Sequence, residues 1–234
     1  MNYYNNTMTK IFDWKNILSH SKEFQTNQYF NFSYMENIFE KDFYQELYSS
    51  YPKLDDSWIR IEEPDKSTYR KFWFNVKTHE VDRPGNDSNF SNAFNTLHEY
   101  CHSNEFMENF SKFSGISNLK TKHFTFVNLK KGGFQYPHAH NASPSTLTMF
   151  FYFVKNWEEG DPGCTYFSKG EDEDNDILVE PYNLDNAMTI FLDADNAWHG
   201  VRYIEKDIER QSICVIMERY DEEQKLWDAE IHSK

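Results

Sequence analysis

Within 38–51, Phe39, Phe43 and Leu47 fall at i, i+4 and i+8, with Tyr44, Tyr48 and Tyr51 beside them, until Pro52 ends the run. Positions so spaced share one face of a 3.6-residue spiral, which predicts an amphipathic helix. Within 89–113 the same period recurs through Phe90, Phe94, Leu97 and Cys101 and then Phe106, Phe110 and Phe113. It predicts two helices, broken near Ser103-Asn104 and closed by Gly115. Helices are therefore expected to dominate the first half.

After Gly115 the texture changes to short runs rich in β-branched and aromatic residues, at 123–129, 146–154, 188–192, 198–204 and 212–217, separated by Gly, Asn, Asp and Pro. These read as antiparallel strands. The run from Met149 through Val154 is apolar on both faces, as in a strand with helices on one side and a cavity on the other. Helices followed by strands predict an α+β fold in which helices buttress a sandwich or jelly roll.

Composition sharpens this picture. The 234 residues suit one larger domain rather than two. With 21 Phe, 15 Tyr and 6 Trp, the core is expected to be aromatic. Lys and Arg number 24 against 38 Asp and Glu, a formal charge of −14. That balance opposes nucleic-acid binding, which draws on basic residues that neutralise phosphates. No membrane span or secretory leader is visible, so a cytoplasmic protein is expected. Cys101, Cys164 and Cys214 form no C-x-x-C pair and are expected to be free thiols. The acidic run 171–176 faintly suggests a calcium loop but lacks its glycine and its final glutamate, and reads as a solvated loop.

The candidate chemistry begins at Tyr136-Pro137-His138-Ala139-His140-Asn141. Residues i and i+2 of a strand project from one face, so His138 and His140 can present two imidazoles to one point, and His199 can add a third from a distant strand. Three protein ligands with open positions suit a catalytic mononuclear iron rather than a structural zinc, which takes four. Ten residues separate His199 from Arg210, and Ser212 follows on the same strand face. A hairpin turning near 205–207 brings Arg210 beside the metal site. There a guanidinium fork and a hydroxyl make a receptor for a carboxylate.

With these residues the chain resembles the 2-oxoglutarate/Fe(II)-dependent oxygenases, whose pattern is H-x-D, a distant H, then ten residues and R-x-S on a double-stranded β-helix. His138, His199, Arg210 and Ser212 match it. The segment 143–168 resembles the family's chain after H-x-D, and 31–52 and 106–116 resemble the helical lead-in of its prolyl-hydroxylase-like members. The aspartate of H-x-D is replaced by His140, which predicts a three-histidine site and raises the formal charge of the iron–protein unit from about +1 to about +2.

The resemblance implies Fe(II) held by His138, His140 and His199, and 2-oxoglutarate gripped by Arg210 and Ser212. Asn128 and Tyr136 are further candidates to hydrogen-bond the cosubstrate. It implies hydroxylation of a C–H bond in a small molecule, amino acid or peptide, with release of succinate and CO2. The expected organisation is an N-terminal extension over 1–26 and a single oxygenase domain over 27–234, with helical lead-in 27–120 and jelly-roll core 121–220. Two alternatives are a cupin-type thiol dioxygenase, whose substrate carboxylate Arg210 would bind, and a non-catalytic jelly-roll binding module. Trp198 and Phe191 are expected in the core, and His98, His102 and His123 in packing or surface roles.

Overall fold

A computed structural model describes residues 10–75, 81–158 and 160–232. The helices are α1 (Trp14–Ser19), α2 (Ser21–Gln25), α3 (Lys41–Ser49), α4 (Asn92–Cys101), α5 (Asn104–Ser114) and α6 (Asp228–His232). The break between α4 and α5 falls where the sequence places it. Ser103 caps α5 by accepting from the backbone N–H of Phe106, and Gly115 ends α5 at φ +79°, a left-handed conformation that glycine adopts without a Cβ clash. The helix predicted over 38–51 is shorter, because Phe39 is drawn into an antiparallel bridge with Phe12.

The first half is less helical than its periodicity suggests. It contributes β1 (Phe32–Glu36), β2 (Ile59–Glu63) and β3 (Lys66–Phe72). The β2–β3 hairpin turns at Pro64-Asp65, and every residue of β2 is exposed or half-exposed. Ile59 and Ile61 do alternate with Arg60 and Glu62, but over so few residues, and with neither isoleucine buried, the alternation is a weak signal. The remaining strands are β4 (Leu119–Leu129), β5 (Phe134–His138), β6 (Leu147–Phe153), β7 (Tyr166–Ser168), β8 (Ile177–Val179), β9 (Asp185–Leu192), β10 (Trp198–Val201), β11 (Arg210–Asp221) and β12 (Leu226–Trp227).

Neighbouring strands run in the order β1-β9-β6-β11-β4-β3-β5-β10-β7-β8, with antiparallel pairing throughout. The sheet curls over itself. Phe191 on β9 lies 4.2 Å from the ring of His199 on β10, and 5.6 Å from that of Phe167 on β7, although these strands are far apart in the order. The result is the expected jelly roll, a double-stranded β-helix with helices on one outer face.

Alternation along the central strands separates two environments. On β4, β6 and β11, Phe124, Phe126, Met149, Phe151, Ile213, Val215 and Met217 join Leu47, Phe94, Phe106 and Phe110 in one buried cluster. Their neighbours Thr125, Val127, Thr148, Phe150, Arg210 and Cys214 face a cavity inside the curl. That double use explains why these strands are apolar on both sides. Ile11, Phe12, Ile17 and Phe24 belong to the same core, so part of the segment read as an extension packs into the domain. The three cysteines are free. Among the described residues no helix is long and apolar enough to cross a membrane.

Candidate metal and cosubstrate site

His138 ends β5 and pairs directly across the ladder with His199 of β10. His140 follows in the loop just beyond β5. Ring centroids are 4.2 Å apart for His138 and His199, 4.9 Å for His138 and His140, and 5.0 Å for His140 and His199. Each ring offers one ligand nitrogen, and these atoms all lie within 4.8 Å of one another.

The other nitrogen of every ring is committed elsewhere. Nδ1 of His138 lies 2.9 Å from the carbonyl of Tyr136, Nδ1 of His199 2.8 Å from the carbonyl of Ala197, and Nδ1 of His140 3.3 Å from Oδ2 of Asp193. A carbonyl or carboxylate oxygen accepts, so each Nδ1 carries a proton, an arrangement that in a neutral ring leaves the Nε2 lone pair for a cation. The side-chain amide of Gln135, 3.1 Å from Nε2 of His138, can donate to that lone pair. Burial lowers the His199 pKa well below its ordinary value, and the neighbouring imidazole of His138 adds to this. Burial likewise lowers that of His138. Rings held neutral are rings ready to ligate. The donor set fits a divalent first-row cation with coordination positions to spare.

Arg210 lines the same cavity at 1% exposure. Nη2 donates to Thr165 (2.8 Å) and Tyr152 (3.4 Å), and Nη1 to Ser212 (3.3 Å), whereas Nε has no partner. Among the described residues no carboxylate lies within 4.0 Å of it. An unpaired buried guanidinium is costly, and an anion entering the cavity would relieve it. Ser212 donates its hydroxyl to the carbonyl of Val127 and accepts from Arg210, so it orients the guanidinium.

The two remaining candidates are not brought to the cavity. Asn128 alternates with Val127 and Leu129, which do line it; its amide turns away to Glu209 at 2.9 Å. Tyr136 is 53% exposed, its ring against Phe134 outside the pocket. Sequence reasoning missed Thr165 and Tyr152, which hold Arg210, and Asp193, which holds His140. None sits at a motif spacing, and Asp193 gives no sign in the sequence that it will be buried. The acidic run forms a tight turn in which Asp172 accepts from the backbone N–H groups of Asp174 and Asn175, in keeping with a solvated loop.

A second histidine pair lies away from the cavity. His98 on α4 and His102, which caps its C-terminus, direct Nε2 at Oδ2 of Asp82, at 2.6 and 3.1 Å. His98 also stacks on Trp73 with centroids 4.1 Å apart. Packing roles suit both, but they share a carboxylate that the sequence does not reveal.

No protein-family model matches the sequence, and neither does any curated protein. Solved structures do match. A prolyl-4-hydroxylase from Pseudomonas putida superposes with a TM-score of 0.58 at 12% identity, over 88% of this chain and 100% of that one. A 2OG-Fe(II) oxygenase family protein from Burkholderia pseudomallei gives 0.60 at 11% identity, over 89% and 92%. A Trichoplax adhaerens prolyl hydroxylase, solved with a hypoxia-inducible-factor peptide, gives 0.58 at 12% identity, over 91% and 90%. This chain has their fold. At such identity the likeness speaks to architecture alone.

Proposed function

We propose that this protein is a 2-oxoglutarate- and Fe(II)-dependent oxygenase with a three-histidine metal site. The observation that carries the reading is the pairing, in one cavity of about 260 Å³, of three imidazoles whose ligand nitrogens lie within 4.8 Å of one another with a buried Arg210 guanidinium that has no carboxylate partner among the described residues. His138, His140 and His199 would hold the metal, and Arg210, steadied by Ser212, Thr165 and Tyr152, would take the distal carboxylate of the cosubstrate. Iron with 2-oxoglutarate supplies the oxygen-activating chemistry of oxidative decarboxylation.

The chain's own residues set the conditions. Three neutral imidazoles leave the cation's charge uncompensated by the first ring of ligands, which favours a dianionic chelator. Asp193 returns one negative charge behind His140. Phe150, Leu129 and Val201 line the cavity with apolar surface that limits water around the reacting groups. A volume of this size suits a small-molecule substrate or a single side chain of a peptide.

Succinate release from 2-oxoglutarate by anaerobically iron-loaded protein, started with oxygen, tests the reading. Activity lost in Arg210→Gln and His199→Ala is expected; no succinate from the metal-loaded wild type contradicts it. A second reading is favoured by the three-histidine donor set, namely a thiol dioxygenase in which Arg210 grips the substrate's own carboxylate. Oxidation of an aminothiol carboxylic acid without 2-oxoglutarate would mark that case.

A further inference from the structure

The cavity holds a second arginine that the proposed chemistry does not use. Arg70 lies on β3, which pairs with β4, and β4 in turn pairs with β11, the strand of Arg210. Arg70, Val127 and Ser212 are consecutive partners across the three strands. The two guanidiniums thus stand on either side of β4 and line one cavity.

Arg70 is half-buried, and its Nε is fully shielded from solvent with no hydrogen-bond partner among the described residues. Among the described residues no carboxylate lies within 4.0 Å of it and no aromatic ring stacks on it. Elsewhere in this acidic protein cations find partners readily: Arg60 with Glu62, Lys122 with Glu218, Arg202 with Glu180 and Arg219 with Asp228. Its charge reaches the cavity wall, since both Arg70 and Arg210 pull down the Cys214 thiol, which burial pushes up to about 12. Beside Arg70 the wall adds Phe72, two residues along β3, and the hydroxyl of its partner Thr125, while Thr148 and Ile216 line the same cavity from β6 and β11.

A shielded guanidinium donor left unpaired costs free energy in the free protein and is regained when an oxyanion fills it. One five-carbon dicarboxylate has its two ends accounted for by the metal and Arg210. We infer that the primary substrate is a small organic anion whose carboxylate or phosphate group is received by Arg70. This rests on the cosubstrate reading, because 2-oxoglutarate on Arg210 is what leaves Arg70 as the uncommitted cation. Thr125 pairs with Phe72, two residues along β3 from Arg70, so its hydroxyl is placed to add a neutral hydrogen bond to the same anion and Phe72 to pack against its carbon skeleton.

The test uses full-length protein loaded anaerobically with Fe(II) and 2-oxoglutarate. Acetate and inorganic phosphate are titrated in separately, following perturbation of the visible iron-to-2-oxoglutarate charge-transfer band. At least one anion should bind, about tenfold more weakly in Arg70→Gln and with recovery in Arg70→Lys, while the 2-oxoglutarate affinity of both variants stays near wild type. Acetate alone points to a carboxylate substrate and phosphate alone to a phosphate ester. Wild-type succinate release is then measured with α-amino and hydroxy acids beside their carboxamides, and with sugar phosphates beside the free sugars. Stimulation by the charged members alone supports the inference, and this arm decides if Arg70→Gln fails to fold.

Equal anion affinity in Arg70→Gln and wild type, no anion binding to the loaded wild type, or stimulation by neutral members overturns the anionic-substrate inference and leaves the cosubstrate reading standing. Loss of 2-oxoglutarate binding in Arg70→Gln also overturns it, by assigning Arg70 to the cosubstrate. A wild type that takes up iron but shows no 2-oxoglutarate band overturns the cosubstrate reading, and the inference with it.

Discussion

Asp193 stands 3.3 Å behind Nδ1 of His140, nearly fully buried, with its second carboxylate oxygen unpartnered. Where an H-x-D motif has a carboxyl group at the second position, this chain has an imidazole with a carboxyl group behind it. A carboxylate in that position fixes the ring's tautomer and makes its Nε2 a stronger base. Asp193→Asn keeps an oxygen acceptor but removes the charge, and should weaken Fe(II) binding about 10- to 100-fold. Competition against a metallochromic chelator under argon measures it; an affinity within twofold of wild type would mean that Asp193 serves only packing.

His140→Asp should retain metal binding, because a carboxylate two residues after His138 can ligate the same cation. His140→Ala should bind at least about tenfold more weakly, a loss of one ligand among three. Equal affinity in the alanine variant would remove His140 from the ligand set.

Arg210→Gln should raise the 2-oxoglutarate concentration needed for half-saturation on the order of 100-fold, the loss of a forked, charge-assisted contact in a buried site. Iron affinity should change little, since Arg210 hydrogen-bonds to Ser212, Tyr152 and Thr165 and not to the three histidines. Matched titrations of iron and cosubstrate on one preparation separate the effects. A comparable fall in both would point to collapse of the cavity rather than loss of a contact.

Stability should depend on pH through the buried rings. His199, His138 and His98 all have pKa values held below the ordinary value of about 6.5, burial being the leading cause in each. In the unfolded chain they take up protons near 6.5, whereas in the folded protein they resist until lower pH. The unfolded state thus binds more protons in that window, and folding stability rises with pH across it. Urea midpoints of the metal-free protein should be flat above pH 7 and fall as the pH drops below about 6.5. Metal binding should weaken in the same direction, because protonated imidazole cannot ligate. A midpoint unchanged between pH 7.5 and 5.5 would contradict the burial of these rings.

Phe126 tests the aromatic core. It is fully buried, with rings of Tyr51, Phe90, Phe94 and Phe124 within 5.9 Å. Phe126→Ala should cost about 3–5 kcal/mol of unfolding free energy. A loss under 1 kcal/mol would mean that the helices are not clamped to the sheet through this residue.

The fold and the site were legible in the sequence to different depths. Ser103 and Gly115 mark helix ends by local chemistry, and the apolar runs of β6 and β11 declare strands buried on both faces, so these elements could be placed from the chain alone. The β2–β3 hairpin could not, since the alternation of Ile59 and Ile61 with Arg60 and Glu62 is short and buries neither isoleucine, and the strand is held by its partner. That gap hid Arg70. His138, His140, His199 and Arg210 lie at spacings that carry meaning, and the fold gathers all four into one cavity. Asp193, Thr165 and Tyr152 act through contacts between strands distant in sequence, which no spacing records. Asn128 lies one residue of strand alternation from Val127 and Leu129, so its side chain is turned to Glu209 and not to the cavity that they line.

The most direct test is an anaerobic titration of metal-free protein with Fe(II) and then 2-oxoglutarate, read by visible absorption. A charge-transfer band should appear at one iron and one cosubstrate per chain, and be absent in His138→Ala and His199→Ala at the same iron concentration. Iron that binds in the wild type without any such band, or a band that survives loss of both histidines, would contradict the assignment of metal and cosubstrate to this cavity.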